Sequence, residues 1–234
     1  MKRTLLFLTI AVLSMVTIAS ADTYVTSGSR ASFTTDFIDW GQLGPPGNFV
    51  NTPAFVVSFG GTNAALVGDQ NLGQFLTGQQ GVTWNGNFDY GENLVWTGNP
   101  NLVSPVGGGG PFVIQLANPV GGIGFGIQAD LYGPFTASVG IYDKNLNFQT
   151  TLTFSGVSNA LGNGSNLFIG IQDTTAVNIG AVIIDTLSSG YPWDHDFALD
   201  TVGFNYSTPE PGTLLLLGSG LIGAAGLVRR KLGR

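Results

Sequence analysis

No segment between residues 22 and 208 carries a convincing helical period of apolar residues. They come in short alternating runs closed off by Gly, Pro, Asn or Asp, a pattern that admits little besides an antiparallel β fold. In Phe135, Ala137, Val139 and Ile141 the apolar positions alternate with Thr136, Ser138 and Gly140, which turns one strand face to a core and the other to water. The runs at 32–40, 54–59, 64–67, 81–84, 94–96, 112–116, 122–129, 135–142, 148–154, 167–171, 179–185 and 197–206 are the expected strands. Asp143-Lys144-Asn145 has the chemistry of a hairpin turn. The glycines at 107–110 read as a loop inside one domain, because neither half alone supplies enough strands to close a sandwich. In Ile123-Gly124-Phe125-Gly126-Ile127 the alternating glycines leave one face bare, so another backbone or a ligand can approach closely. The expected fold is all-β, an antiparallel β-sandwich spanning residues 22–208.

Charge narrows the range of functions. Of eight basic residues only Arg30 and Lys144 fall in this region, against 13 of the 14 acidic ones, a formal charge of −11. Nucleic acid is excluded as a partner, since phosphate contacts need a basic face. The absence of cysteine removes disulfides, thiolate nucleophiles and Cys-based zinc sites together.

Both ends carry targeting signals. Lys2 and Arg3, an apolar run at 5–16 and the small-residue site Ala19-Ser20-Ala21 form a secretory signal peptide, 1–21, cut before Asp22 by the secretion machinery. Near the other end, residues 212–228 hold no charge, and at about 1.5 Å per residue they reach about 25 Å, slightly short of a hydrocarbon core of about 30 Å. Arg229, Arg230, Lys231 and Arg234 follow, which keeps 229–234 cytoplasmic and the region upstream outside.

With Pro209, Glu210 and Pro211 before the span and Arg229 and Arg230 after it, residues 209–234 resemble the sorting signal of the PEP-CTERM family of bacterial exported proteins. The resemblance implies an exosortase, a membrane-embedded cysteine transpeptidase-like enzyme, as sorting partner, in bacteria that make extracellular polysaccharide. It implies a protein anchored in the inner membrane before processing and then found at the cell surface or outside the cell. The stretch Asp196-Phe197-Ala198-Leu199-Asp200-Thr201-Val202-Gly203-Phe204 resembles the terminal strand of the β-sandwich domains common in such cargo, whose layout is similar to lectin-like jelly rolls.

Candidate sites are few. Asp194, Asp196 and Asp200 crowd a loop and the strand it enters, in a region nearly without cations, and such oxygen donors suit calcium. The competing reading leaves Asp194 and Asp196 in the loop and Asp200 facing solvent. Trp84, Asn85, Asn87, Asp89 and Trp96 form the best carbohydrate-binding stretch, an aromatic face for a pyranose with amides and a carboxylate for its hydroxyls. Trp40 and Trp193 are further candidate platforms; the competing reading puts the tryptophans in the core. On the platform reading, truncating Trp84 costs little stability. His195 is the only histidine and has no nucleophile-elbow serine to serve, so no catalytic residue is assigned. The sequence thus points to a non-enzymatic surface or matrix protein associated with exopolysaccharide, with no cofactor unless it is calcium. The alternatives are a lectin-like carbohydrate-binding module and, further off, a glycan-active hydrolase.

Overall fold

A computed structural model describes residues 23–27, 30–98 and 109–206. The signal-peptide positions Ala19, Ala21 and Asp22 lie outside the described residues, as do Pro209, Glu210, Pro211, the expected span and Arg229 and Arg230. Among the described residues no helix is long and apolar enough to cross a membrane.

The strands, in chain order, are β1 (Tyr24–Ser27), β2 (Asp36–Ile38), β3 (Phe49–Asn51), β4 (Ala54–Val57), β5 (Ala64–Asp69), β6 (Gln74–Gln79), β7 (Asn93–Trp96), β8 (Phe112–Val120), β9 (Gly122–Ala129) and β10 (Gly133–Asp143). They continue with β11 (Phe148–Ser158), β12 (Leu167–Asp173), β13 (Ile179–Ser188), β14 (Phe197–Leu199) and β15 (Val202–Asn205). One sheet runs β1-β12-β9-β14-β7-β6-β3, with β15 bridging β9 and β2; the other runs β11-β10-β13-β8-β5-β4. Every ladder is antiparallel.

The two sheets share one apolar core. Ala137, Val139 and Ile141 of β10 and Val182 and Ile184 of β13 are buried in the same cluster as Ile123, Phe125 and Ile127 of β9 and Ile169 and Ile171 of β12. Phe112 of β8 joins the layers, meeting the edge of Trp40 at 6.3 Å and of Phe75 at 5.2 Å. The alternation read in β10 holds, with Phe135, Ala137, Val139 and Ile141 buried and Thr136 exposed.

Several expectations about strands change, and the short β1 and β3 are additions to the expected set. The run at 32–40 is two 3-10 turns, Arg30–Phe33 and Trp40–Leu43, around the three-residue β2. Asp39 draws the chain into the second turn by accepting the Gly41 N–H at 2.8 Å. Residues 81–84 are a turn instead of a strand, entered by Gly81 at φ 81°. β6 was not expected, because its middle four residues are buried on both faces and show no alternation. The expected strand 197–206 is two strands, broken at Asp200 and Thr201.

Candidate functional site

The break at Asp200 organises the face behind the core. β14 pairs with Ile127–Ala129 of β9 and β15 with Gly122–Gly124, and between them Asp200 turns its carboxylate onto β9. Oδ1 accepts the Gly126 N–H at 2.5 Å; Oδ2 accepts Arg30 at 2.6 Å and Asn166 at 3.3 Å. The Asp200 carbonyl accepts the Trp40 indole N–H at 2.7 Å. A Cβ on Gly126 would overlap Asn166 and the Asp200 carboxylate, so glycine is required by close approach. The bare face of β9 is therefore filled by the chain itself, with Phe33 and Phe168 over Gly124. Arg30 lies 5.2 Å over the Phe168 ring and 3.8 Å from Glu92. Burial pushes the Asp200 carboxyl above the usual carboxylate range, while Arg30 and the Gly126 amide pull it back.

This geometry ties Asp200 to other partners than the two remaining expected calcium ligands, Asp194 and Asp196. Asp200 is fully buried and its oxygens are taken by Arg30, Gly126 and Asn166, so it faces neither solvent nor its two neighbours in sequence. Asp194 accepts the Ser188 hydroxyl at 2.7 Å, and Asp196 accepts the Gly109 N–H. Among the described residues no group of three or more His, Asp or Glu is arranged to hold a metal ion.

Asp194 and Asp196 instead act on Asp130, at the end of β9. Burial, and then the charges of Asp196 and Asp194, push the Asp130 carboxyl up to about 6 from an ordinary 3.8. With the folded value raised, the stability this group contributes is full below about 3.8 and lost as pH rises through about 6. Asp130→Asn is therefore expected to stabilise the protein at pH 7.5 by about 1–3 kcal/mol and to have no such effect near pH 4. Thermal denaturation of both forms at the two pH values checks it; equal melting temperatures at pH 7.5 would contradict it.

The expected carbohydrate stretch is largely interior. Trp84 is 7% exposed, Asn87 is buried and Trp96 is partly buried, and the two indole rings stand 5.8 Å apart in a second apolar cluster with Phe88 and Leu94. Their indole nitrogens are buried without a hydrogen-bond partner. Asn87 is a structural tie: its amide donates to the Val157 carbonyl at 3.1 Å, and its side-chain oxygen accepts the Asn159 N–H at 2.6 Å. Asn85 and Asp89 are exposed, and the Asn85 carbonyl accepts the Tyr132 hydroxyl at 2.6 Å. Trp84 thus packs inward because the turn after β6 folds its ring over Gly86, which has no Cβ to block it.

An open concave surface lies elsewhere, at the end of the sandwich where β10 starts and β11 and β13 finish. A groove of about 630 Å³ is walled by Pro134, Val157, Leu187 and Pro192, with Thr136, Ser155 and Ser189 among its polar lining. The Ser189 N–H donates to the Pro134 carbonyl at 2.9 Å and fixes the loop after β13 against β10. That loop carries Tyr191 and Trp193, 46% and 48% exposed, ring edge to ring face at 5.9 Å. Tyr132, 58% exposed, precedes the opposite wall. No residue lining the groove is charged. The sequence signal was present in Tyr132-Gly133-Pro134 and Gly190-Tyr191-Pro192-Trp193, where aromatics sit among turn residues that have no core face. His195 pairs with Asp185 of β13, 3.0 Å from Nδ1, and not with the carboxylates beside it in sequence.

Residues 207–231 match the model of the PEP-CTERM protein-sorting motif, and this motif implies an exported protein with an exosortase as its sorting partner. No curated protein matches the chain. Among solved structures it is similar to a DUF4465 family protein from Bacteroides caccae, at 14% identity over 78% of this chain and 100% of that one, TM-score 0.34. It is similar also to the enzymatically active domain of tailspike protein 4 of bacteriophage CBA120, at 13% identity over 71% of this chain and 20% of that one, TM-score 0.36. A third similarity is to the CBM22-1 and GH10 modules of endo-1,4-β-D-xylanase 10B from Clostridium thermocellum, at 10% identity over 69% of this chain and 28% of that one, TM-score 0.29.

Proposed function

We infer, from the sorting motif at residues 207–231, that this protein is a non-enzymatic component of a bacterial cell surface or extracellular matrix, delivered there by export and exosortase processing. The motif is the observation that carries this reading. The signal peptide at 1–21 brings the chain to the membrane, the span at 212–228 holds it with 229–234 inside, and Pro209-Glu210-Pro211 is the element the exosortase reads. The mature protein is then expected to lack the span and the basic tail. Glu210→Ala is expected to leave the uncut chain in the membrane fraction, as read by intact mass and fractionation. Identical mass and fractionation for both forms would reduce the motif to a spacer.

A second reading, binding of a neutral glycan by a lectin-like sandwich of jelly-roll layout, is favoured by the groove between Pro134, Val157 and Leu187. Its volume suits a small ligand, and its lining offers hydroxyls and apolar walls without charge. A region of charge −11 repels acidic polysaccharide, so the ligand it accepts directly is neutral. Tyr132, Tyr191 and Trp193 are the aromatic faces within reach of such a chain, in place of Trp84 and Trp96. Trp193→Ala is expected to weaken retention in affinity gels of neutral glucan or xylan about tenfold, with little dependence on salt. An exposed side chain costs little stability, so the melting temperature stays within a few degrees. Retention unchanged by the substitution, or absent in the wild type, would remove this reading.

A further inference from the structure

Most outer strands of the two sheets are short: β1 and β4 have four residues each, and β2 and β3 have three. β11 differs. It closes the six-stranded sheet with eleven residues, pairs only with β10, and contains neither proline nor charge. Shortness, proline, lysine and bulges are the devices by which proteins keep a free edge from pairing with another chain. On β11 the ladder shifts register only at its start, opposite Ile141 and Tyr142. Among the described residues no other element hydrogen-bonds to its backbone from Phe148 to Gly156; Asn87 reaches only the Val157 carbonyl.

We propose that β11 is the docking edge for a second copy of this chain, the two strands pairing antiparallel about a two-fold axis at Thr153 so that their sheets run on as one. Three observations select this occupant. Residues 145–172 contain no charged side chain, so this is a neutral window in a region of charge −11, the place where two copies approach with least repulsion. The edge is also self-complementary: the two-fold register sets Leu152 against Phe154 of the second copy and Thr151 against its Ser155, and such apolar and Thr–Ser cross-strand pairs stabilise a ladder. Leu152 and Phe154 pack on the core but are only partly buried, with their open flank at this edge, and the second copy covers it. Thr151, Thr153 and Ser155 are exposed on the other face, where pairing extends the hydroxyl surface across the axis.

Sedimentation of the exported protein tests the edge. The wild type is expected to be a dimer that tightens as salt rises, since added ions screen the repulsion between two acidic bodies. Thr153→Lys sets two ammonium groups opposite each other at the axis and is expected to weaken the dimer at least tenfold while the melting temperature of the monomer is kept. Thr136→Lys adds the same charge to the same face on β10, away from the edge, and is expected to leave the dimer intact. The chain has no cysteine, so Thr153→Cys is expected to form a disulfide-linked dimer on mild oxidation and Thr136→Cys is not. A wild type that stays monomeric at all concentrations, or a dimer indifferent to Thr153→Lys, overturns the proposal.

Discussion

Replacing Trp84 with alanine is expected to destabilise the protein by about 3–5 kcal/mol, the range for emptying the site of a large buried aromatic. Trp84 is 7% exposed, and its ring fills the space between Phe88, Leu94 and Trp96 behind the core, so truncation leaves a cavity that the surrounding strands cannot close. Trp84→Phe is the informative control. It keeps most of the packing and removes an indole N–H that is buried without a partner, so it is expected to cost no more than about 1.5 kcal/mol. Denaturant midpoints of the three forms decide it. An alanine variant within 1 kcal/mol of wild type, by the tenfold scale of about 1.4 kcal/mol, would return Trp84 to the surface as a stacking platform.

The second large effect is at Arg30. Arg30→Leu is expected to cost about 3 kcal/mol at neutral pH, because it strands the fully buried Asp200 carboxylate with only the Gly126 amide and Asn166 beside it. The outer part of Arg30 is wet, which keeps the figure at the low end of the range for broken buried pairs. The pH dependence has a definite sign. Burial already holds the folded Asp200 value above the unfolded one, and loss of Arg30 raises it further. The deficit of the variant is then largest at neutral pH and shrinks as pH falls through the wild-type folded value, where both forms hold the proton. A second change, Asp200→Asn, is expected to recover part of the loss, a coupling that a double-mutant cycle measures. A deficit independent of pH would mean that Arg30 acts through its packing on Phe168 alone.

What could be read from the sequence divides along a physical line. β9, β10 and β13 were legible, since β10 has one face in the core and one in water and β9 is framed by turn residues on either side. β6 was hidden because burial on both faces erases the alternation, and β1 and β3 because three or four residues are too few to show a period. Trp84, which packs inside as its competing reading had it, and Asp200 were obscured for a different reason. Trp84 and Asp200 were judged by their neighbours in sequence, but their surroundings come from Trp96, Arg30, Gly126 and Asn166, which only the tertiary fold brings to them. The glycines of β9 announced a close approach correctly and left its occupant open; the occupants are Phe33, Phe168 and Asp200.

β15 is flanked on both sides, by β9 and by β2, and Tyr206 just beyond it donates its hydroxyl to Asp36 at 3.0 Å, with burial and that carboxylate pushing the phenol up to about 12. The body of the protein is thus clamped up to the residue before the sorting motif begins at 207. The four peptide steps from Asn205 to Pro209 extend at most about 14 Å. An enzyme that reads Pro-Glu-Pro, as proposed, would therefore have almost no slack chain between itself and the folded sandwich, and a pull on the tail would load β15 in shear along two ladders.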